Sequence, residues 1–265
     1  MKVFGKRAAG ERLERIRASA QWLGESFGNR LPFLPGLRDH SVPRPTLSEF
    51  LCGGPGRLPA GPLPSGDPRA VWARPPDTGL RATWLGHSTV LIEIDGLRVL
   101  TDPVWGNRAS PSRLAGPRRF QPVPVPLRAL PPIDLVLISH DHYDHLDYPT
   151  IRHFARTDVP FVTSLGVGAH LQSWDIPAER IVELDWWESY TLHGRDLGGV
   201  ATGQKGDDEF RAAEKIAVFL DVAAIGAVGN YFRHGGMLRN GIGNDELGQA
   251  GVAVQAPGLP GHPVQ

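Results

Sequence analysis

The chain has 265 residues, 41% hydrophobic and 21% charged, enough to bury a sizeable core. Lys+Arg and Asp+Glu balance at 28 each, which removes the electrostatic case for a nucleic-acid partner. A single cysteine, Cys52, excludes an intrachain disulfide and an all-cysteine zinc site and fits a cytoplasmic location.

At the N-terminus, Leu13, Ile16, Ala20 and Leu23 recur at helical steps among Arg7, Arg12, Arg15 and Arg17. The pattern predicts a basic amphipathic helix over 6–24. It either docks on its own domain or lies peripherally on an anionic membrane. The segment lacks the apolar run and cleavage site of a signal peptide, and no stretch is apolar enough to span a bilayer. Residues 31–80, with Gly-Gly-Pro-Gly at 53–56 and Pro-Leu-Pro-Ser-Gly-Asp-Pro at 62–68, read as an extended lead-in with little regular structure.

From residue 81 the texture changes. Arg81 to Leu85, Thr89 to Ile94 and Leu97 to Thr101 read as strands, the last two joined by the hairpin pair Asp95-Gly96. Residues 107–132 form a Pro- and Arg-rich loop. Ile133 to Ser139 is an apolar run expected of a strand buried on both faces. Helix, strand, helix and strand follow at 150–156, 160–164, 166–174 and 178–184, an alternation that indicates an α/β layered architecture. All seven tryptophans precede residue 193, and 15 of the 32 glycines follow it. Residues 209–225 allow a helix and then an apolar strand, and 248–265 read as a disordered tail.

The informative stretch is Ser139-His140-Asp141-His142-Tyr143-Asp144-His145, directly after the strand at 133–139. Three histidines and an aspartate in six residues are a dense supply of nitrogen and oxygen ligands for a metal such as zinc. In a loop feeding a helix, His140 and His142 converge on one ion while Asp144 and His145 turn toward a second. Two such ions clamp a transferring acyl or phosphoryl group.

The run His140-x-His142-x-Asp144-His145 resembles the signature of the metallo-β-lactamase superfamily. Four flanking runs narrow the likeness: Thr83 to Thr89, Leu100 to Trp105, Gly116 to Phe120, and Glu183 to Glu188. They resemble the branch containing N-acyl-phosphatidylethanolamine-hydrolysing phospholipase D and its bacterial relatives. The resemblance implies an αββα sandwich with one or two Zn2+ ions at an edge. It implies a hydrolase that cleaves a phosphodiester or ester of a small-molecule or lipid substrate through a metal-bound hydroxide. His140 and His142 would hold one ion, and Asp144 and His145 the other, the latter two counted as catalytic. Asp102, in Thr-Asp-Pro, resembles the family's buried aspartate behind the ligands and is otherwise a turn residue. His87, in Gly-His-Ser, is either a second such supporting group or a structural histidine. Arg118 and Arg119 either receive a phosphate or stay solvated, and Trp186-Trp187 reads first as packing.

Relatives continue with Ala-Thr-Pro-x-x-His. Here Ala201-Thr202 is followed by Gly203, and Gly206 stands where the third histidine is expected. Asp221 and His234 are the candidates to replace the missing ligands. The chain thus divides into a lead-in at 1–80, a metallo-β-lactamase-like core at 81–200 and a divergent glycine-rich segment at 201–265, leaving the sandwich incomplete in its second half. A frameshift or truncation would produce that pattern and leave an inactive family member. A sugar-lactone hydrolase is the other alternative. A half-sandwich would expose an apolar sheet face and favour a homodimer.

Overall fold

Asp95 and Gly96 take φ angles of 49° and 82°, the paired left-handed conformation of a two-residue hairpin turn. They join β2 (Thr89–Ile94) to β3 (Leu97–Thr101) in the register Ile94 opposite Leu97. β2 also pairs antiparallel with β1 (Leu80–Gly86). In this computed structural model the described residues are 2–28, 59, 61–112, 114, 116–200 and 215–219.

β4 (Leu135–Ile138), β5 (Phe161–Ser164) and β6 (Ile181–Leu184) continue the sheet in parallel from β3, giving six strands in chain order. β4 is buried at every position, which is why it reads as an unbroken apolar run. Alternate residues serve opposite faces. Val136 and Ile138 pack with Leu100, Phe161 and the helices, whereas Leu135 and Leu137 pack with Val99, Val162 and Leu192.

The first face is covered by α3 (Tyr148–Phe154) and α4 (Gly168–Ser173), which follow α1 (Glu11–Ala18) and the single turn α2 (Arg69–Trp72) in the chain. Ile151, Phe154, Leu171 and Trp174 enter the core from this layer. The second face meets β7 (Ser189–Leu192), whose Leu192 and Tyr190 join the cluster around Leu135. β7 pairs antiparallel with β8 (Arg195–Val200), and β8 pairs in parallel with β9 (Lys215–Phe219). Helix, sheet and second sheet therefore stack as three layers of an α/β fold. The second sheet takes in residues past 200. The apolar strand expected within 209–225 is β9.

The N-terminal helix is shorter than its apolar repeat suggested. It runs from Glu11, after Gly10 at φ 57°, to Ala18, because Ser19 turns extended and its N–H closes on Ile16 O. Ile16 is buried near Gly166, whereas Leu23, assigned to the same stripe, is 73% exposed. Arg12 Nε meets Glu183 Oε2 at 2.7 Å and Arg15 Nη2 meets Glu188 Oε2 at 2.5 Å, so the helix docks on its own domain. The lead-in at 61–80 carries one turn of helix whose Trp72 is buried and donates through Nε1 to Thr83 Oγ1. Among the described residues no helix is long and apolar enough to cross a membrane.

Candidate metal centre

β1, β3 and β4 all point the same way, so their C-terminal ends share one edge of the sheet. His87 follows β1, Asp102 follows β3, and Ser139 to His145 follow β4. Sites of open α/β sheets form at this edge, because loops there can converge while the strands behind them stay rigid.

Asp102 is fully buried and sits at φ 37°, a conformation unusual outside glycine. Its Oδ1 accepts the Ser139 N–H at 2.8 Å, and its Oδ2 accepts the Ser139 hydroxyl at 2.8 Å. Oδ2 also lies 2.8 Å from His145 Nδ1. A carboxylate only accepts, so His145 carries its proton on Nδ1 and turns Nε2 outward as a lone pair. His140 Nδ1 is 2.9 Å from Ser139 Oγ. The single hydroxyl proton of Ser139 goes to Asp102, so His140 Nδ1–H donates to the oxygen and frees its own Nε2. One buried carboxylate thus fixes the tautomer of two histidines, one directly and one through Ser139, in the arrangement that metal-ligating histidines use.

The rings of His140 and His145 lie 4.0 Å apart between centroids, and those of His140 and His142 lie 4.6 Å apart. Asp144 Oδ2 is 3.8 Å from His145 Nε2 and 3.0 Å from His87 Nε2. The His87 hydrogen bond holds the Asp144 carboxyl well below the usual carboxylate range. Burial, then the neighbouring His145 and His142, push the His140 imidazole below its ordinary value and keep it unprotonated. Neutral imidazoles and an ionised carboxylate are the forms that bind a cation, so this donor set fits a divalent metal of the zinc, iron or manganese kind.

The loop places His140, His142, Asp144 and His145 close to one another, with Asp102 behind them. His87 faces Asp144 across the loop, and the donor atoms of His87, Asp144 and His145 all fall within 4.8 Å of one another. Arg119 is committed elsewhere, donating to Val104 O at 2.7 Å and Gly106 O at 3.4 Å; Arg118 is exposed. Trp186 packs on Phe27 with 5.0 Å between centroids, whereas Trp187 is 56% exposed. Gly206, Asp221 and His234 lie outside the described residues, as does Cys52.

Two features had no counterpart in the sequence reading. One is the role of Ser139, for which its place at the strand end before His140 was the available signal. The other is a cleft of about 400 Å3 beside the loop, bounded by Tyr143 and Asp144, by His170 and Trp174 of the α4 region, and by Phe4. His170 Nε2 lies 3.4 Å from Asp141 Oδ2, and this hydrogen bond lowers the Asp141 carboxyl. Phe4 reaches the cleft because Trp174 Nε1 donates to Lys2 O at 2.7 Å. No sequence pattern announces that pairing.

Residues 97–220 match the family model described as a Beta-lactamase superfamily domain. The matched span takes in the metal loop and the strands on either side of it, a little under half of the chain. It is 54% identical over 132 residues to an uncharacterized protein of Mycobacterium tuberculosis, covering 49% of this chain and 35% of that protein. It is 41% identical over 118 residues to N-acyl-phosphatidylethanolamine-hydrolyzing phospholipase D 1 of Caenorhabditis elegans, covering 43% and 33%. Among solved structures, a possible metal-dependent hydrolase from Veillonella parvula matches with a TM-score of 0.37 and 18% identity, over 44% of this chain and 45% of that one. The chain spans about a third of the length of the two curated relatives it matches here.

Proposed function

We propose that this protein is a zinc-dependent hydrolase acting on a phosphodiester or ester bond of a lipid or other small molecule. The observation that carries the reading is the backing of two metal-facing histidines by one buried carboxylate, Asp102 to His145 and, through Ser139, to His140. A structural histidine cluster has no use for fixed tautomers with Nε2 turned outward. A ligand cluster does.

His140 and His142 would hold one ion, and Asp144 and His145 the other. Bound zinc supplies Lewis acidity that activates water and neutralises charge developing on the scissile group. Before metal binds, Asp144 stays ionised because His87 donates to it, and His140 stays neutral because it is half-buried beside two other imidazoles. The cleft beside Tyr143 and Asp144 receives the substrate, with Phe4 and Trp174 offering apolar surface next to the polar loop. The likeness to the worm phospholipase D supports a phosphodiester, and a cleft with both kinds of wall suits an amphiphile.

A hydrolysis panel of phosphodiesters, carboxylic esters and a lactone tests this. The expected result is phosphodiester or ester turnover that a chelator stops and added zinc restores. Turnover of the lactone alone would reassign the substrate class. No turnover with zinc, manganese or iron would remove the hydrolase reading.

A further inference from the structure

We propose that His87, through Nε2, is the third protein ligand of the ion held by Asp144 and His145. The proposal rests on the reading that the loop after β4 binds metal, and it changes His87 from a supporting residue to a ligand.

A catalytic zinc ordinarily takes three protein donors and leaves a position open. Asp144 and His145 supply two, and both come from one loop. Two donors of one ion, each about 2.0–2.2 Å from it, stand no more than about 4.4 Å apart. Asp144 Oδ2 meets that limit with His87 Nε2 at 3.0 Å and with His145 Nε2 at 3.8 Å. The whole set of three donors falls within 4.8 Å of one another.

The backbone at His87 argues in the same direction. Gly86 pairs with Thr89, so His87 and Ser88 form a two-residue link between β1 and β2. His87 takes φ 50°, a conformation glycine adopts without steric cost. Its carbonyl is held by the Trp84 indole N–H at 2.7 Å, and Gly86 sits so close to Arg119 Nη1 that a Cβ there would lie 2.7 Å from it. The link is thus fixed from both sides, in a shape that aims an imidazole at Asp144. The side chains of His87 and Asp144 are 37% and 40% exposed, and Asp144 borders the cleft, so the three donors leave one side open to a substrate.

The test uses the full chain loaded with Co2+, read by its visible absorption, together with zinc affinity from chelator competition. His87→Ala should weaken one zinc site by more than the roughly 10–100-fold that follows loss of a hydrogen-bonding partner behind a ligand. It should also change the Co2+ spectrum, with far-UV circular dichroism unaltered. His87→Gln, which can still donate to Asp144 but ligates zinc poorly, should not restore either signal. Recovery of affinity and spectrum in His87→Gln would overturn the proposal and make His87 a clamp on Asp144. Unchanged affinity in His87→Ala would overturn it as well. Failure of the unaltered protein to bind zinc or cobalt at all would remove the metal reading itself, an outcome distinct from the other two.

Discussion

Asp102 Oδ2 lies 2.8 Å from both Ser139 Oγ and His145 Nδ1, so a single carboxylate oxygen, out of contact with solvent, orients the metal loop at two places. Asp102→Asn keeps a residue that tolerates the φ of 37° but offers an amide where both partners need an acceptor. The expected effect is a roughly 10–100-fold loss of zinc affinity with the fold retained. Ser139→Ala should act in the same direction through His140. Chelator competition measures both, and zinc binding unchanged in Asp102→Asn would show that the histidines are oriented by something else.

The pH dependence of the metal-free protein follows from His140. Its imidazole is held below the ordinary 6.5, first by burial and then by His145 and His142. The unfolded chain takes up this proton near 6.5, and the folded protein only at lower pH. The contribution of neutral His140 is therefore fully present above 6.5 and is lost as pH falls through the lower folded value. Asp144, depressed by His87, adds a loss of the same sign deeper in acid. Urea unfolding at about pH 7.5 and about pH 5.5 should show a smaller drop for His140→Gln than for the unaltered chain. Equal drops would place the titration elsewhere.

Gly5 sits at φ 66°, and a Cβ added there would lie 1.9 Å from His170 Nδ1. Gly5→Ala must therefore move either the N-terminal strap or the imidazole that pairs with Asp141. A left-handed conformation costs a non-glycine residue about 1–2 kcal/mol, so the melting temperature should fall and Phe4 should leave the cleft wall. A shift of the Trp174 indole N–H resonance would report the released bond to Lys2 O. An unmoved resonance would mean the strap adapts without leaving.

The strands were legible because their signals are local. Thr89–Ile94 and Leu97–Thr101 are β-branched and apolar on either side of Asp95-Gly96, and Leu135 to Ile138 is apolar at every position. The four loop ligands were legible for the same reason, since their spacing fits inside six residues. The short N-terminal helix was not, because Gly10 and the turn at Ser19 cut a periodicity that continues on paper to Leu23. Ser139 and the Phe4 wall were hidden because each depends on a partner far along the chain. Asp102 lies 37 residues before Ser139, and Lys2 lies 172 residues before Trp174. The commitment of Arg119 to Val104 O and Gly106 O was hidden in the same way.

Metal content by elemental analysis tests the central claim most directly. The purified full chain is compared with His140→Ala/His142→Ala/His145→Ala, both checked for retained secondary structure. Zinc that copurifies with the unaltered protein and is lost from the triple variant is the predicted result. Equal metal in the two proteins, or none in the unaltered chain after incubation with zinc, would contradict a metal centre at the edge where β1, β3 and β4 end.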